Sequence, residues 1–314
     1  WTSWYENGNK KFQATYKDGK LNGRWTSWYD GGIIKEKSGD YSNNKLNNKW
    51  TYWADDGRKT EEISYKDGIK NGPYLFWNSD NYKTIEGQYI NGEKHSTWTL
   101  WYDDGVLKSK ENYSNGEMDG LWSWWRPDGT KDREGNYKNS VKHGLWVTWN
   151  NADHKKGEET YVNGVLDGLV TVWHDNGNKD REGIIRGNEP EGSWTYYFAD
   201  GSEDFRFDYG AGLDRVRIAE LEERNGTFYK IGKHKPYTGI VVESGGLKDY
   251  LLLGRFQAGK RDGQWVQWYR NGQKEVEGVY YRGKKHGNWT LWYEDGTLKE
   301  KGISVSYTHL TLPT

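Results

Sequence analysis

The chain has 314 residues, with 45 basic against 46 acidic side chains, 20 Trp, 24 Tyr, 41 Gly, one Met and no Cys. Charge balance removes the basic excess that phosphate binding wants, which excludes nucleic acid as the main partner, and the lack of Cys removes disulfides, thiolate catalysis and Cys-zinc sites together. So much Gly argues against a helix bundle, no apolar run approaches the ~18 residues of a membrane span, and rings that each bury roughly 150–250 Å² predict an all-β fold with an aromatic core.

In chain order, the pattern Trp-x-x-Trp-Tyr-x-x-Gly starts at Trp1, Trp25, Trp50, Tyr74, Trp98, Trp122, Trp146, Val170 and Trp194, then again at Trp265 and Trp289. Spacings are 24 or 25 up to Trp194, and of the 20 Trp only Trp124 falls outside the first or fourth position of the pattern. Such self-similarity marks a repeat architecture. Each unit reads as two strands: Trp1–Tyr5 is the first, Asn7-Gly8 predicts a two-residue hairpin turn, and Asn9–Tyr16 returns. Gly-x-x-x-Gly joins one unit to the next, as at Gly19–Gly23, Gly68–Gly72, Gly116–Gly120, Gly164–Gly168, Gly259–Gly263 and Gly283–Gly287. The residue before the second Gly is Asn22, Asn47, Asn71, His95, Asp119, His143, Asp167, Glu191, Asp262 or His286. All but Glu191 are types enriched at positive φ, which predicts a backbone role for them, three histidines included, in place of metal binding.

The first array covers residues 1–201, and the pattern breaks over 202–238. That junction holds Arg215–Arg224, the best candidate for a short helix, and the start of a new module. The second array covers 239–303. Val305–Thr314 resembles the translation of a transposase-type sequencing adapter, so 304–314 is set aside as a scar that is not native. With Trp1 opening in mid-motif, the chain is expected to be a fragment at both ends, which leaves cytoplasmic and exported locations both open.

The residues that carry the pattern, Trp-Thr-Ser-Trp-Tyr-Glu-Asn-Gly at 1–8 and Tyr-Lys-Asp-Gly-Lys-Leu-Asn-Gly at 16–23, resemble the variant MORN repeat. More narrowly the chain is similar to bacterial YwqK-type proteins, often labelled toxin–antitoxin antitoxins. Arg224-Asn-Gly-Thr-Phe-Tyr with Lys235-Pro-Tyr-Thr-Gly239 resembles the opening of one such module. The resemblance implies an extended antiparallel β-meander without catalytic residues. Together with the hairpin pattern, the expected fold is an elongated, open, single-layer twisted sheet of hairpin repeats of about 24 residues.

Strand alternation sorts the columns. With a two-residue turn at Asn7-Gly8, Trp4 pairs with Lys11 and Trp1 with Ala14, so Trp1, Tyr5 and Tyr16 share an aromatic, core-forming face. Trp98 is then expected to pack with Tyr102 and Tyr113. The other face carries Thr2, Trp4 and Lys11, and a charged column of Lys37, Glu62, Glu86, Lys110, Glu134, Glu158, Glu182, Arg206, Glu277 and Lys301. On it stand Trp4, Trp28, Trp53, Trp77, Trp101, Trp125, Trp149, Trp173, Trp268 and Trp292, the candidate interaction stripe. Two readings compete for these rings. Lys and Arg stems cover them as a structural device, or they form a row presented to a flat or polymeric ligand.

Catalytic signatures do not survive inspection. Gly254–Arg261 mimics a phosphate loop but lacks the terminal Ser or Thr, and Asp103-Asp104-Gly105 is explained by a hairpin turn without calcium. The carboxylate pairs Asp55-Asp56, Glu61-Glu62, Glu158-Glu159 and Glu222-Glu223 single out no acid/base couple. The expected function is therefore a non-enzymatic scaffold for protein–protein interaction, of antitoxin-like type, with no cofactor and no metal. A carbohydrate or cell-wall binding module and a lipid or membrane-surface module are the alternatives.

Overall fold

The computed structural model describes residues 1–210, 212–243 and 251–304. The adapter-like stretch Val305–Thr314 lies outside them. Within the described residues there are 28 strands and a single 3-10 turn, so the fold is all-β. Contacts divide the chain into two units, Trp1–Asp180 and Arg181–Thr314.

Unit 1 is the meander that the repeat predicts. Strands run from Thr2–Trp4 and Lys10–Lys17 to Lys155–Val162 and Val165–Trp173, each antiparallel to its chain neighbours. Its described strands belong to one sheet with no second layer. The hairpin turns differ from expectation. Tyr5 N–H donates to Asn9 O at 2.8 Å and Gly8 N–H to Tyr5 O at 3.0 Å, so the loop is Glu6-Asn7-Gly8, three residues with Gly8 at φ 84°. This is a type I turn closed by a left-handed Gly. One residue later the register slips: Ser3 opposes Phe12 but Trp4 opposes Lys10, leaving Lys11 as a bulge and not as the partner of Trp4. The same slip recurs at Lys108 and Lys299.

Two-residue turns occur at the other connection. Asp18 (φ 50°) and Gly19 (φ 72°) both adopt positive φ between the paired Lys17 and Lys20, the requirement of a type I′ turn. In the bulge that follows, the left-handed residue is Gly23 at φ 110°. Asn22, His95, His143 and their equivalents are not among the positive-φ residues, so the backbone role expected of them is withdrawn. The pattern placed the strain one residue early.

Unit 2 begins in the same style, with Glu189–Tyr197 antiparallel to Glu203–Asp208. It ends with the meander Gly239–Glu243, Leu252–Gln257, Lys260–Trp268, Lys274–Tyr281, Lys284–Trp292 and Leu298–Ser304. Between them, Asp214–Val216 adds to Gly239–Val241 in parallel, an exception to the antiparallel rule. The short helix expected over Arg215–Arg224 amounts to the 3-10 turn Ile218–Glu220. Its C-terminal part is the strand Leu221–Arg224, hairpinned to Thr227–Lys230. Val216, Ile218, Leu221, Phe228 and Tyr237 pack on Val241, Leu252, Phe256, Trp265 and Trp289. The junction thus packs locally on one face of the second array, which remains an antiparallel meander.

The first Trp column forms the core of unit 1. Trp50, Trp98, Trp122 and Trp146 are buried, Trp98 to 2% exposure. Each indole lies on the preceding strand, and a Cβ added at Gly39, Gly87 or Gly135 would come within 2.1–2.2 Å of the Trp50, Trp98 or Trp146 ring. At the second bulge the indole N–H also meets a backbone carbonyl: Trp98 Nε1 donates to Gln88 O at 3.2 Å and Trp146 Nε1 to Asn136 O at 3.1 Å. Ring neighbours of Trp98 are Tyr74, Tyr89 and Tyr113, with centroids 5.5, 5.0 and 6.5 Å away. Tyr102 is elsewhere. Its hydroxyl donates to Trp125 O across the hairpin tips, and the bulged Lys108 lies over its ring.

Candidate interaction face

The candidate stripe is graded in exposure. Trp4 is 60% exposed, Trp268 is 5% exposed with Phe205 against it, and Trp28, Trp53, Trp77, Trp101, Trp125, Trp149, Trp173 and Trp292 are half-buried. Trp268 therefore departs from the open row read from sequence.

Lysines stand over the rings. Lys10 lies 4.9 Å from the Trp28 centroid, Lys35 5.6 Å from Trp53, Lys83 4.8 Å from Trp101, Lys131 4.8 Å from Trp149, Lys155 5.8 Å from Trp173 and Lys274 5.8 Å from Trp292. Each belongs to the preceding hairpin, 18 residues before its Trp. The bulge explains why Lys10 and not Lys11 reaches this face: the slip hands Lys11 to Tyr5, 5.5 Å from that ring.

Four of these six lysines are also steered by a carboxylate three residues on. Lys83 meets Glu86, Lys131 meets Glu134 and Lys155 meets Glu158 at 2.5 Å, and Lys274 meets Glu277 at 2.7 Å. These glutamates belong to the charged column, directly opposite Leu75, Ser123, Val147 and Val266. Lys37 leaves that column, because its hairpin carries one extra residue, Ile33, after the turn Gly32. Ser38 opposes Thr26 in its place and Lys37 lies over Trp25. Glu62 and its neighbour Glu61 report the two environments. Burial pushes Glu62 up, but hydrogen bonds and charges from Lys59 and Lys49 outweigh it and hold the carboxyl below the usual glutamate range. Burial raises Glu61, with Lys70 opposing only in part. The repeated group is therefore Trp, Lys and Glu together. Sequence alternation found the Trp and the Glu. It also foresaw Lys stems over the rings but placed Lys11 on this face, whereas the Lys six residues after most stripe Trp is the one that reaches it.

A second feature of this face was not singled out from sequence. Leu121, Leu145 and Leu169 are 46%, 49% and 52% exposed, each just before its core residue Trp122, Trp146 or Val170.

Residues 1–18, 94–115, 118–139, 261–281 and 285–304 match the model of the MORN repeat variant. These five stretches are similar to MORN-variant repeats. Segments 94–115 and 118–139 take in the hairpins around Trp98 and Trp122, in register with the turns described above. MORN repeats in general are modules of protein or membrane-lipid interaction. No curated protein matches the chain. Among solved structures, the TcdB2-TccC3-Cdc42 crystal structure is similar over 96% of this chain and 18% of that one, at 11% identity and TM-score 0.16. The Photorhabdus luminescens Tc holotoxin pore is similar over 96% and 17%, also at 11% and 0.16. The chain thus spans less than a fifth of those proteins, and likeness at this TM-score carries no argument about its fold or function.

Proposed function

We propose that unit 1 is a non-enzymatic scaffold that binds a protein partner through the Trp–Lys–Glu face. The observation that carries this reading is the lysine over most of the rings. A bare row of indoles suits stacking of flat sugar rings. Here five of the eight stripe rings of unit 1 have one face occupied by an ammonium group, and three of those five ammonium groups are ion-paired. What is offered outward is an alternation of apolar edge, cation and carboxylate, which complements the mixed surface of a protein. Repetition adds weak contacts through effective concentration. An antitoxin-like role would be one such partnership, with a toxin protein held in a stoichiometric complex.

The test compares the full chain with a variant carrying Trp101→Ala, Trp149→Ala and Trp173→Ala. The expected result is a discrete protein complex lost in the variant, with neither chain binding insoluble glucan or phosphatidylserine vesicles. Glucan or vesicle binding that the variant abolishes would replace the protein reading with the carbohydrate or the lipid one.

A further inference from the structure

Neutrality of the whole chain hides a local imbalance. Residues 230–238, Lys-Ile-Gly-Lys-His-Lys-Pro-Tyr-Thr, hold three lysines and a histidine and no carboxylate. All of them but Ile231 and Gly232 line one cavity of about 650 Å³ in unit 2, together with Asp214. Three acidic residues touch this segment, and each carboxylate is already taken. Asp214 holds Lys230 at 2.6 Å, Arg217 holds Glu220 at 3.0 Å and Arg224 holds Glu222 at 2.8 Å. Lys233, His234 and Lys235 are exposed and make no ion pair among the described residues. Backbone bonds fix the segment that carries them. Ile231 N–H donates to Glu220 O at 3.0 Å, Gly232 N–H to Glu222 Oε1 at 3.1 Å and Tyr237 N–H to Phe228 O at 2.9 Å. The buried Tyr237 hydroxyl is spent on Asp214 O and Ile240 O, at 2.7 and 2.8 Å. A ligand here meets a frame that does not have to be ordered first.

Charge and volume select the occupant. Two ammonium groups without a counter-ion match one dianion, and a phosphomonoester carries about −1.5 to −2 at neutral pH. Lysine is a compact point charge, whereas a planar carboxylate is best met by the fork of Arg, and no Arg is among the described residues of the cavity wall. The cavity has the size of a small-molecule site and exceeds what a bare phosphate fills, which leaves room for the esterified group beside half-buried Pro236. Asp214, Glu220 and Glu222 around the segment suit a single concave ligand better than a sheet of anionic headgroups, which would meet them as well. We propose that this cavity binds a small soluble phosphomonoester, whose phosphoryl oxygens accept hydrogen bonds from Lys233, His234 and Lys235. The proposal is independent of the stripe in unit 1.

The test is equilibrium dialysis of the full chain against phenyl phosphate, with phenyl sulfate as the probe of like shape and one charge fewer. Phenyl phosphate should be retained at one per chain and roughly tenfold more tightly than phenyl sulfate. Lys233→Gln with Lys235→Gln should weaken it by roughly tenfold or more. Lys284→Gln with Lys301→Gln, which removes the same charge from exposed positions of the second array, should leave it unchanged. Lys233→Arg with Lys235→Arg should keep most of the binding, which separates lost charge from a damaged loop. If near-ultraviolet circular dichroism shows that the first Gln pair disturbs Trp packing, Lys235→Gln alone takes its place, with a loss of roughly threefold expected. No retention of phenyl phosphate, equal retention of the two esters, or equal loss in the two Gln pairs overturns the proposal. So does capture on phosphatidic acid vesicles that Lys233→Gln with Lys235→Gln abolishes while phenyl phosphate is not retained, because the occupant is then a membrane surface.

Discussion

The two units solve one problem in two ways. In unit 1 the sheet has no second layer, and burial is built within each repeat by an indole laid on the preceding strand. In unit 2 the hairpin Leu221–Lys230 and Tyr237 cover one face, and aliphatic residues take over. Val241 and Phe256, beneath that cover, are completely buried, whereas Trp98, Trp122 and Trp146 of unit 1 keep a few per cent of exposure. The repeat pattern is sharpest where no cover exists and blurs at 239–257 where it does. A single layer must supply large flat side chains at fixed intervals, and a covered layer is free to use whatever fills the gap.

The largest contrast is expected between Phe256 and Trp98. Either change to Ala should cost ~3–5 kcal/mol, but of different reach. Phe256→Ala should weaken unit 2 as a whole, while Trp98→Ala should lose hydrogen-exchange protection only in its own and adjacent hairpins, since repeats contact neighbours. Loss of protection throughout unit 1 from Trp98→Ala would break the comparison.

Next in size is the glycine beneath the ring. Gly87→Val must displace Trp98 and should cost ~1–3 kcal/mol in denaturant midpoint. Gly302→Ala, where an added Cβ meets nothing within 4 Å, should be near neutral. Equal effects at the two sites would mean that the ring does not depend on the glycine.

Smaller again is the stripe itself. Trp101→Ala should cost about 1 kcal/mol, the scale of an exposed cation–π contact, read from the same denaturation curves. A loss equal to that of Trp98→Ala would erase the distinction between the columns.

The smallest effect is a titration that distinguishes the two sides of one strand. Glu61 and Glu62 are adjacent and shifted in opposite directions. Glu62, lowered, stabilises the fold above its unfolded pKa, and that contribution disappears as pH falls through the folded value. Glu61, raised, contributes at acid pH and loses the contribution as pH rises through its folded value. Carboxyl-resolved NMR titration should show the two curves on opposite sides of a free glutamate. Coincident curves would sink the assignment of faces.

Much of this was legible. The repeat length, the buried role of Trp98 and its equivalents, and the all-β class follow from Trp and Gly spacing. Tyr102 and Lys11 were not, because Asn-Gly serves a two-residue turn and a three-residue turn equally, and only the bulge tells them apart. That one extra residue reassigns Lys10 to Trp28 and Lys11 to Tyr5. The junction was opaque for another reason. Arg215–Arg224 has helical propensity, yet tertiary cover over Phe256 and Trp265 draws its C-terminal half into a strand.

The indole resting on a glycine has a consequence for how such a gene changes length. Gly39, Gly87, Gly135 and Gly183 recur every 48 residues, beneath Trp50, Trp98, Trp146 and Trp194. In the intervening repeats the matching residues are Ala14, Ile63, Glu111 and Glu159, none of which leaves that notch. Removing 24 codons would join a ring to a strand shaped for another, whereas removing 48 would rejoin like with like. Between Gly39 and Trp194 unequal crossing-over should therefore survive selection in steps of two hairpins, whereas Gly254 and Gly278, 24 residues apart beneath Trp265 and Trp289, would let single hairpins exchange there.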